Sequence, residues 1–139
     1  MSKLTHCWPI RIYYEDTDLM GVVYYANYLK FFERARTEFL RAKGVEQSTL
    51  IEQGAVMFAV RQAKVDYLKP ALFEDLLEVE TEIVRQKGAS FTFQQTICRA
   101  ESKHEIICKA TIKVACLDSN TMAVKAIPKN LLEQLNNDN

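Results

Sequence analysis

The spacing of the hydrophobic positions changes along the chain. Between residues 27 and 44 they recur every three or four residues, which predicts an amphipathic helix. Its apolar face comprises Tyr28, Phe32, Ala35, Phe39 and Ala42, and its polar face comprises Lys30, Arg34, Thr37 and Arg41. Asn27 is the expected N-cap, and Gly44 is expected to stop the helix just after Lys43. A short second helix is expected near residues 47–53.

On both sides of this helix, apolar and polar positions alternate, which predicts strands. The first strand is expected to end at the acids near residue 15. The later strands are expected around residues 63–67, 77–83 and 91–97, in a segment that ends at Cys116 and Leu117, and around Met122, Val124 and Ala126. In the strand at 77–83, Glu78, Glu80 and Glu82 are expected to form a solvated face. Pro128 is expected to open a C-terminal helix.

The order of these elements predicts the fold class. Strands joined by short turns are antiparallel neighbours. One long helix packed against a single curved antiparallel sheet is an α+β architecture. We therefore expect about five to six strands wrapped around one helix, in a single domain that spans residues 1–139.

Composition narrows the possible functions. The chain has 18 basic and 18 acidic residues, so it lacks the excess positive charge of a nucleic-acid-binding protein. It has four cysteines without CxxC spacing and two histidines, so we expect no structural metal, and we expect no cofactor. Cys108 and Cys116 are expected to be buried, reduced thiols. No signal peptide or membrane-spanning stretch is expected, and the predicted location is cytoplasmic.

The segment YYEDTDLMGVVYYANY, residues 13–28, combines three acids with an uncharged apolar run. A calcium-binding EF-hand loop is excluded, because Met20 would occupy a position that needs an oxygen ligand and Asn27 would occupy one that needs a bidentate glutamate. A phosphatase of the D-x-D type is disfavoured, because that chemistry usually lies on a parallel sheet and the strands here are predicted to be antiparallel. Serine hydrolases and phosphate-loop proteins are unsupported, because their motifs are absent from the sequence. The remaining interpretation is an acyl-transfer site: a carboxylate lies just before a helix start, where free N–H groups can hold an oxyanion. A purely structural role for the acids stays open.

The segment YYEDTDLMGVVYYANYLKFFERARTEFLR, residues 13–41, resembles the signature of hotdog-fold acyl-CoA thioesterases. Within them it is similar to the 4-hydroxybenzoyl-CoA thioesterase family, closest to the branch associated with the Tol–Pal cluster. The resemblance covers essentially the whole chain. It implies a helix wrapped by an antiparallel sheet, and a homodimer or a dimer of dimers (a homotetramer) with active sites between subunits. The implied reaction is hydrolysis of the thioester of acyl-CoA or of an acyl-carrier protein.

The resemblance also implies the catalytic groups. The second aspartate of the family's D-x-D falls on Asp18, as general base or nucleophile. The family's oxyanion donor is a backbone N–H at the helix start, which falls on Tyr25. The Tol–Pal-associated branch commonly carries a histidine there, whereas the hydroxybenzoyl branch carries a tyrosine. A tyrosine at this position still provides the backbone N–H donor, but it cannot provide an imidazole.

The neighbouring charges have less specific expected roles. Glu15 and Asp16 are expected to be structural, either bonded within the turn or paired with Arg34 or Arg36. Glu33, Arg34 and Arg36 are equally well explained as plain surface charges.

Substrate contacts are expected around this site. The expected substrate-binding residues near the acyl group are in the apolar run, Gly21, Val22, Tyr24 and Tyr28, and two further expected substrate-binding residues are Phe58 and Val60. The candidates for the coenzyme phosphates are Arg61, Lys64, Arg85 and Lys87, each of which also fits an ordinary surface cation. Gly88 would let the pantetheine arm approach the backbone closely. A non-catalytic module that binds acyl-CoA or acyl-carrier protein in the same groove is the alternative to an enzyme.

Overall fold

The computed structural model describes residues 5–136. Its strands are β1 (His6–Arg11), β2 (Val56–Tyr67), β3 (Leu76–Lys87), β4 (Ser90–Arg99) and β5 (Ser102–Asp118). Its helices are α1 (Asn27–Ala42), α2 (Gln47–Thr49) and α3 (Lys129–Leu135), with a 3₁₀ turn at Tyr14–Asp16 and a π-helical turn at Leu50–Gly54. The sequence also predicts that the last residues, NNDN at 136–139, fray; of these, positions 137–139 lie outside the described residues.

The five strands form one antiparallel sheet in the order β1-β3-β4-β5-β2. Consecutive hairpins join β3, β4 and β5, whereas β1 and β2 are the two edge strands. The short connections explain the antiparallel pairing of β3, β4 and β5. The predicted α+β class and the strand number are confirmed. Among residues 5–136, none of the helices combines the length and the hydrophobicity that a membrane span requires.

The long helix α1 packs its apolar face on the sheet. The buried residues of this face are Tyr28, Phe31, Phe32, Ala35, Phe39 and Leu40. Ala42, predicted to belong to it, is exposed because the helix ends there. Lys43 is the C-cap, and Gly44 follows with φ +82°, a left-handed conformation that suits glycine. Ala26 is the N-cap, so the assignment of that position to Asn27 is wrong by one residue.

The inner face of the sheet supplies the other half of the core. The positions that alternate inward along the central strands are fully or nearly fully buried: Leu77, Val79, Phe91, Phe93, Ile97, Cys108, Ile112, Val114 and Cys116. The predicted burial of Cys108 and Cys116 is therefore confirmed. The three glutamates of β3 point to the outer face as expected, but they are half-buried rather than fully solvated. Glu78 pairs there with Lys103 at 2.9 Å.

Two predicted strands differ from the structure. Residues 122–126 form no strand; Val124 makes one isolated bridge to Leu117, and Met122 adopts φ +64°, which interrupts an extended chain. The first strand ends at Arg11, opposite Leu76 where β3 begins, so the chain has no ladder partner as it reaches the acids. Pro128 is the N-cap of α3, as predicted.

Candidate active site

The loop between β1 and α1 folds back on itself in a tight turn. Thr17 and Val23 form an isolated bridge, and the Asp18 N–H donates to the Val22 carbonyl at 2.9 Å. The Gly21 N–H donates to the Asp18 carbonyl at 3.0 Å, and Gly21 has φ +79°. Glycine adopts this left-handed conformation without the strain that a side chain would introduce. The turn therefore presents Asp18 at the protein surface.

Asp16 is buried in the base of the same loop. One of its carboxylate oxygens accepts the Tyr13 N–H at 2.8 Å, and the other accepts the Asn27 side-chain amide at 3.1 Å. Its main-chain carbonyl accepts the Tyr24 N–H at 2.9 Å. Asp16 thus ties the strand exit to the first turn of α1, and its predicted structural role within the turn is confirmed.

The alternative pairing of the loop acids with helix arginines is wrong. Arg36 donates to the side chain of Gln95 at 3.0 Å and is half-buried, so it is not a plain surface charge either. Arg34 lies over the ring of Phe31, with 5.8 Å from its guanidinium carbon to the ring centre. Both arginines therefore pack on their own helix or against the sheet.

Asp18 is exposed, unlike Asp16. One oxygen of its carboxylate accepts the Met20 N–H at 2.8 Å. Such a bond from a backbone N–H two residues onward is a common turn interaction of aspartate. The other oxygen has no hydrogen-bond partner in the described part of the chain. A carboxylate held at one oxygen and free at the other can take a proton or attack a carbonyl.

The start of α1 offers unpaired donors on the same loop. Neither Tyr25 nor Ala26 has a partner for its main-chain N–H among residues 5–136, whereas the Asn27 N–H donates to the Tyr24 carbonyl at 2.8 Å. Free N–H groups at the positive end of a helix stabilise developing negative charge. The side chain of Tyr25 is 62% exposed and packs against the rings of Tyr24 and Tyr67.

The predicted pocket residues divide into two groups. Gly21, Val22, Tyr24 and Tyr28 belong to the loop and the helix start, near Asp18 along the chain. Tyr28 is buried, and its hydroxyl accepts the Ala71 N–H at 3.2 Å, so it anchors the loop to the segment after β2. Burial raises the pKa of this hydroxyl.

Phe58 and Val60 belong to the second group, beside the last two turns of α1. They line a cleft between α1 and the sheet, whose space is about 520 Å³ with open solvent included. The rest of its lining comprises Glu33, Arg36, Thr37, Leu40, Gln47, Phe91, Phe93 and Val114. Sequence reasoning did not assign Arg36 to a pocket. Its position four residues after the buried Phe32, on the apolar side of the helix, was the available signal.

The predicted phosphate-binding cations lie on or beside the outer face of the sheet. Lys64 on β2 pairs with Thr111, and Arg85 on β3 pairs with Thr92. Thr92 also pairs with Lys113, a cation in the same cross-strand row that the sequence analysis missed. Arg61 is the extra residue of a β-bulge on β2.

A tight turn joins β3 to β4 beside these cations. Lys87 pairs with Ser90, so Gly88 and Ala89 form a two-residue connection, with Gly88 at φ +59°. Glycine at the first position of such a connection is typical of a type II′ hairpin turn. The Gly88 carbonyl accepts the Ile127 N–H at 3.3 Å, which holds the turn against the C-terminal segment.

The cysteines are unsuited to nucleophilic catalysis. Burial raises the pKa of Cys108 to about 12, and burial also raises the pKa of Cys98 and Cys116. Because the thiolate is the reactive form, these groups are protonated and inert at neutral pH. Cys7 lies with Glu78 and Glu80 on the outer face, but its pKa is also raised and Lys103 already pairs with Glu78.

Comparison with known proteins agrees with this geometry. Residues 13–135 match the model of the thioesterase-like superfamily. The chain is 48% identical over 122 residues to the acyl-CoA thioesterase YbgC of Haemophilus influenzae, covering 88% of each chain. It is 43% identical over 134 residues to the acyl-CoA thioester hydrolase YbgC of Escherichia coli O6:H1, covering 96% of this chain and 98% of that one.

A solved structure supports the same assignment. The crystal structure of a probable thioesterase from Bartonella henselae superposes with a TM-score of 0.83 at 35% identity, covering 89% of this chain and 99% of that one. The chain therefore belongs to the thioesterase-like superfamily, and its predicted hotdog fold is confirmed. The Tol–Pal-associated branch stays a prediction.

Proposed function

We propose that the protein hydrolyses acyl-CoA thioesters, with Asp18 as general base or nucleophile and the Tyr25 N–H as oxyanion donor. The observation that carries this proposal is one loop that presents both groups. Asp18 has a carboxylate oxygen without a partner, and the Tyr25 N–H has none either, within residues 5–136. The names of the relatives in Haemophilus influenzae and Escherichia coli support acyl-CoA as the substrate class.

In the general-base route, Asp18 takes a proton from water as the water oxygen attacks the thioester carbonyl carbon. The carbonyl oxygen becomes an oxyanion, which accepts a hydrogen bond from the Tyr25 N–H. The tetrahedral intermediate then collapses and the carbon–sulfur bond breaks. The sulfur leaves with the electron pair and takes up the proton held by Asp18, which releases the free acid and the thiol.

In the nucleophile route, a carboxylate oxygen of Asp18 attacks the carbonyl carbon directly. The thiolate leaves, takes a proton from solvent, and a mixed anhydride remains on Asp18. Water then hydrolyses the anhydride and restores the carboxylate. Both routes need the same oxyanion donor, so they share the role of Tyr25.

The proposed substrate contacts extend from this loop. Gly21, Val22 and Tyr24 border the reacting group, while the bulged Arg61 and nearby Lys64 lie on the edge strand β2. Because β2 is an edge, we propose that its cations meet the coenzyme phosphates across a subunit boundary, together with Arg85 and Lys87 beside Gly88. The carrier of the acyl group is coenzyme A or an acyl-carrier protein, and the proposed location is cytoplasmic.

We further propose a homodimer, or a dimer of dimers, formed through an edge strand. Strand β2 exposes large apolar side chains on the face that looks toward α1: Val60 is 53% exposed and Tyr67 is 46% exposed. An open edge strand with apolar side chains is an aggregation hazard unless it is paired. Closed symmetry would pair it and give the active site a second wall.

The catalytic proposal is tested by Asp18→Asn, with Glu15→Gln as the matched control from the same loop. The amide keeps the volume of Asp18 but is neither a base nor a nucleophile. We expect kcat/KM for acyl-CoA to fall by about 10²-fold or more, the scale of losing a positioned general base. Glu15→Gln should hydrolyse at the wild-type rate. Near-wild-type turnover by Asp18→Asn would favour the non-catalytic binding module.

The shared-site proposal is tested by dilution. Specific activity should fall as the protein is diluted below the dimer dissociation constant, because each site would need residues from both chains. Light scattering at the same concentrations should show monomer forming as activity is lost. Full specific activity in a solution that scatters as a monomer would refute the shared site.

A further inference from the structure

A shallow trough runs between α1 and the inner face of the edge strand β2. The helix contributes a stripe at three- and four-residue spacing: Leu29, Glu33, Arg36, Thr37 and Leu40. The strand contributes its inward-facing row: Phe58, Val60, Ala63, Val65 and Tyr67. Most of these side chains are exposed or half-buried, so the trough is open.

The trough connects the helix start to the cleft. At one end, the ring of Tyr67 lies 6.0 Å from that of Tyr25 and 5.7 Å from that of Tyr28. At the other end, Phe58 and Arg36 line the cleft. A helix rises about 1.5 Å per residue, so Arg36 lies about 14 Å along the helix axis from Asn27, the first residue of α1.

Arg36 is a half-buried cation without an ion-pair partner among residues 5–136. It donates to the Gln95 side-chain oxygen at 3.0 Å. Gln95 is fully buried, and its amide nitrogen donates to the Phe32 carbonyl at 3.0 Å and to the Thr81 hydroxyl at 2.9 Å. These bonds fix the orientation of Gln95, and Gln95 in turn holds Arg36 at the wall of the cleft.

The guanidinium of Arg36 therefore has unused donors. Arginine carries five N–H groups and remains charged in proteins, and the described residues provide an acceptor for one of them. Burial lowers the pKa of Arg36, which reflects the cost of removing this charge from water. A carboxylate is the best acceptor for the remaining donors, since it can accept two parallel bonds from one guanidinium.

Glu33 is the nearby acid to consider, because it lies one turn before Arg36 and its charge partly opposes the lowering of the Arg36 pKa. Its carboxylate accepts the Thr37 hydroxyl at 2.6 Å and is exposed. Glu33 therefore reduces the charge of the cleft without occupying the donors of Arg36.

We propose that the trough holds the acyl chain of the substrate and that Arg36 binds a carboxylate at the far end of that chain. This inference rests on the proposed thioesterase function and names its substrate class: long acyl-CoA thioesters that end in a second carboxylate. The apolar lining by Phe58, Val60 and Leu40 suits the methylene chain, and the guanidinium suits its terminus. The reaction itself is unchanged, because Arg36 lies about 14 Å along the axis of α1 from the helix start, where the thioester reacts.

The test compares acyl-CoA pairs of equal chain length that end in a methyl group or a carboxylate, from short to long chains. The wild type should prefer the carboxylate-ended member by about tenfold in kcat/KM at the length that reaches Arg36. Arg36→Met should lose or reverse this preference when each carboxylate-ended chain is compared with the methyl-ended chain of the same length. Arg36→Lys should retain part of the preference, because it keeps the charge but not the two-bond geometry.

Glu33→Gln supplies an independent variant that does not disturb the buried network. Removing this negative charge should strengthen the preference for the carboxylate-ended chain. Should Arg36→Met fail to fold, the wild-type panel and Glu33→Gln decide the question.

Three outcomes would overturn the inference. The first is a wild type with no preference at any length, and the second is an unchanged preference in Arg36→Met. The third is an Arg36→Met variant that dissociates into monomers, which would make an acidic side chain of a second copy the partner of Arg36. A wild type that hydrolyses no thioester, butanoyl-CoA included, would instead refute the proposed function.

Discussion

Asp16 and Asp18 are the same residue type two positions apart, yet the fold places them in opposite environments. Asp16 is buried, with both carboxylate oxygens bonded to groups of its own loop and helix start. Asp18 is exposed, with one oxygen bonded to the Met20 N–H and the other free within the described residues. A carboxylate that is fully satisfied stabilises structure, whereas one with a free oxygen is available for chemistry.

The exposed position of Asp18 depends on the buried Asp16. Asp16 links Tyr13, at the exit from β1, to Asn27, in the first turn of α1. This link holds the tight turn that presents Asp18 and fixes the helix start that offers the Tyr25 N–H. The two aspartates of the D-x-D spacing are therefore not equivalent: one is a buried support, and the other is an exposed carboxylate with a free oxygen within the described residues.

Replacing Asp16 should lower the stability of the protein more than replacing Asp18. Asp16→Ala leaves the Tyr13 N–H and the Asn27 amide without their acceptor, and an unmet hydrogen-bonding group costs about 1–3 kcal/mol. We expect the free energy of unfolding to fall by about this amount, measured by urea denaturation. Asp18→Asn should change it by less than about 0.5 kcal/mol, as exposed positions usually do.

Asn27→Ala is a matched control for Asp16→Ala. It removes one of the two side-chain partners of Asp16 but keeps the bond from the Tyr13 N–H, so it should destabilise less than Asp16→Ala. Equal stability of Asp16→Ala and the wild type would contradict the structural role of Asp16.

Changes at the side chain of Tyr25 should have the smallest effect on catalysis among the variants considered. Tyr25→Phe and Tyr25→His both keep the main-chain N–H, and the Tyr25 ring is largely exposed. We expect kcat to stay within a few-fold of the wild type for both variants, measured under saturating acyl-CoA. A collapse of kcat in Tyr25→Phe with substrate binding intact would show that the phenol takes part.

Much of the fold was predictable because its elements obey simple periodicities. The helix stripe through Tyr28, Phe32 and Phe39 and the alternation through Leu77 and Val79 each identify a buried face. The strand predicted at residues 122–126 is wrong, because an alternating pattern does not by itself provide a neighbouring strand to pair with. Val124 reaches one bridge, and the left-handed Met122 ends any further pairing.

The candidate site was predictable only where a local motif carried it. Asp18 and Tyr25 lie in one short segment, so their relation is encoded along the chain. Arg36 was missed as a cleft residue because its partner, Gln95, lies 59 positions away and is brought to it by the sheet. Lys113 was missed for the same reason, since its row with Arg85 exists only after β3, β4 and β5 pair.

The most direct test of the role of Asp18 is the rate of the chemical step in a single turnover. Asp18→Asn is mixed in excess with a radiolabelled acyl-CoA, and release of the free acid is followed while substrate binding is measured in parallel. The chemical step of Asp18→Asn should be slowed by about 10²-fold or more, with unchanged substrate affinity and an unchanged unfolding curve. A single-turnover rate near that of the wild type would contradict it.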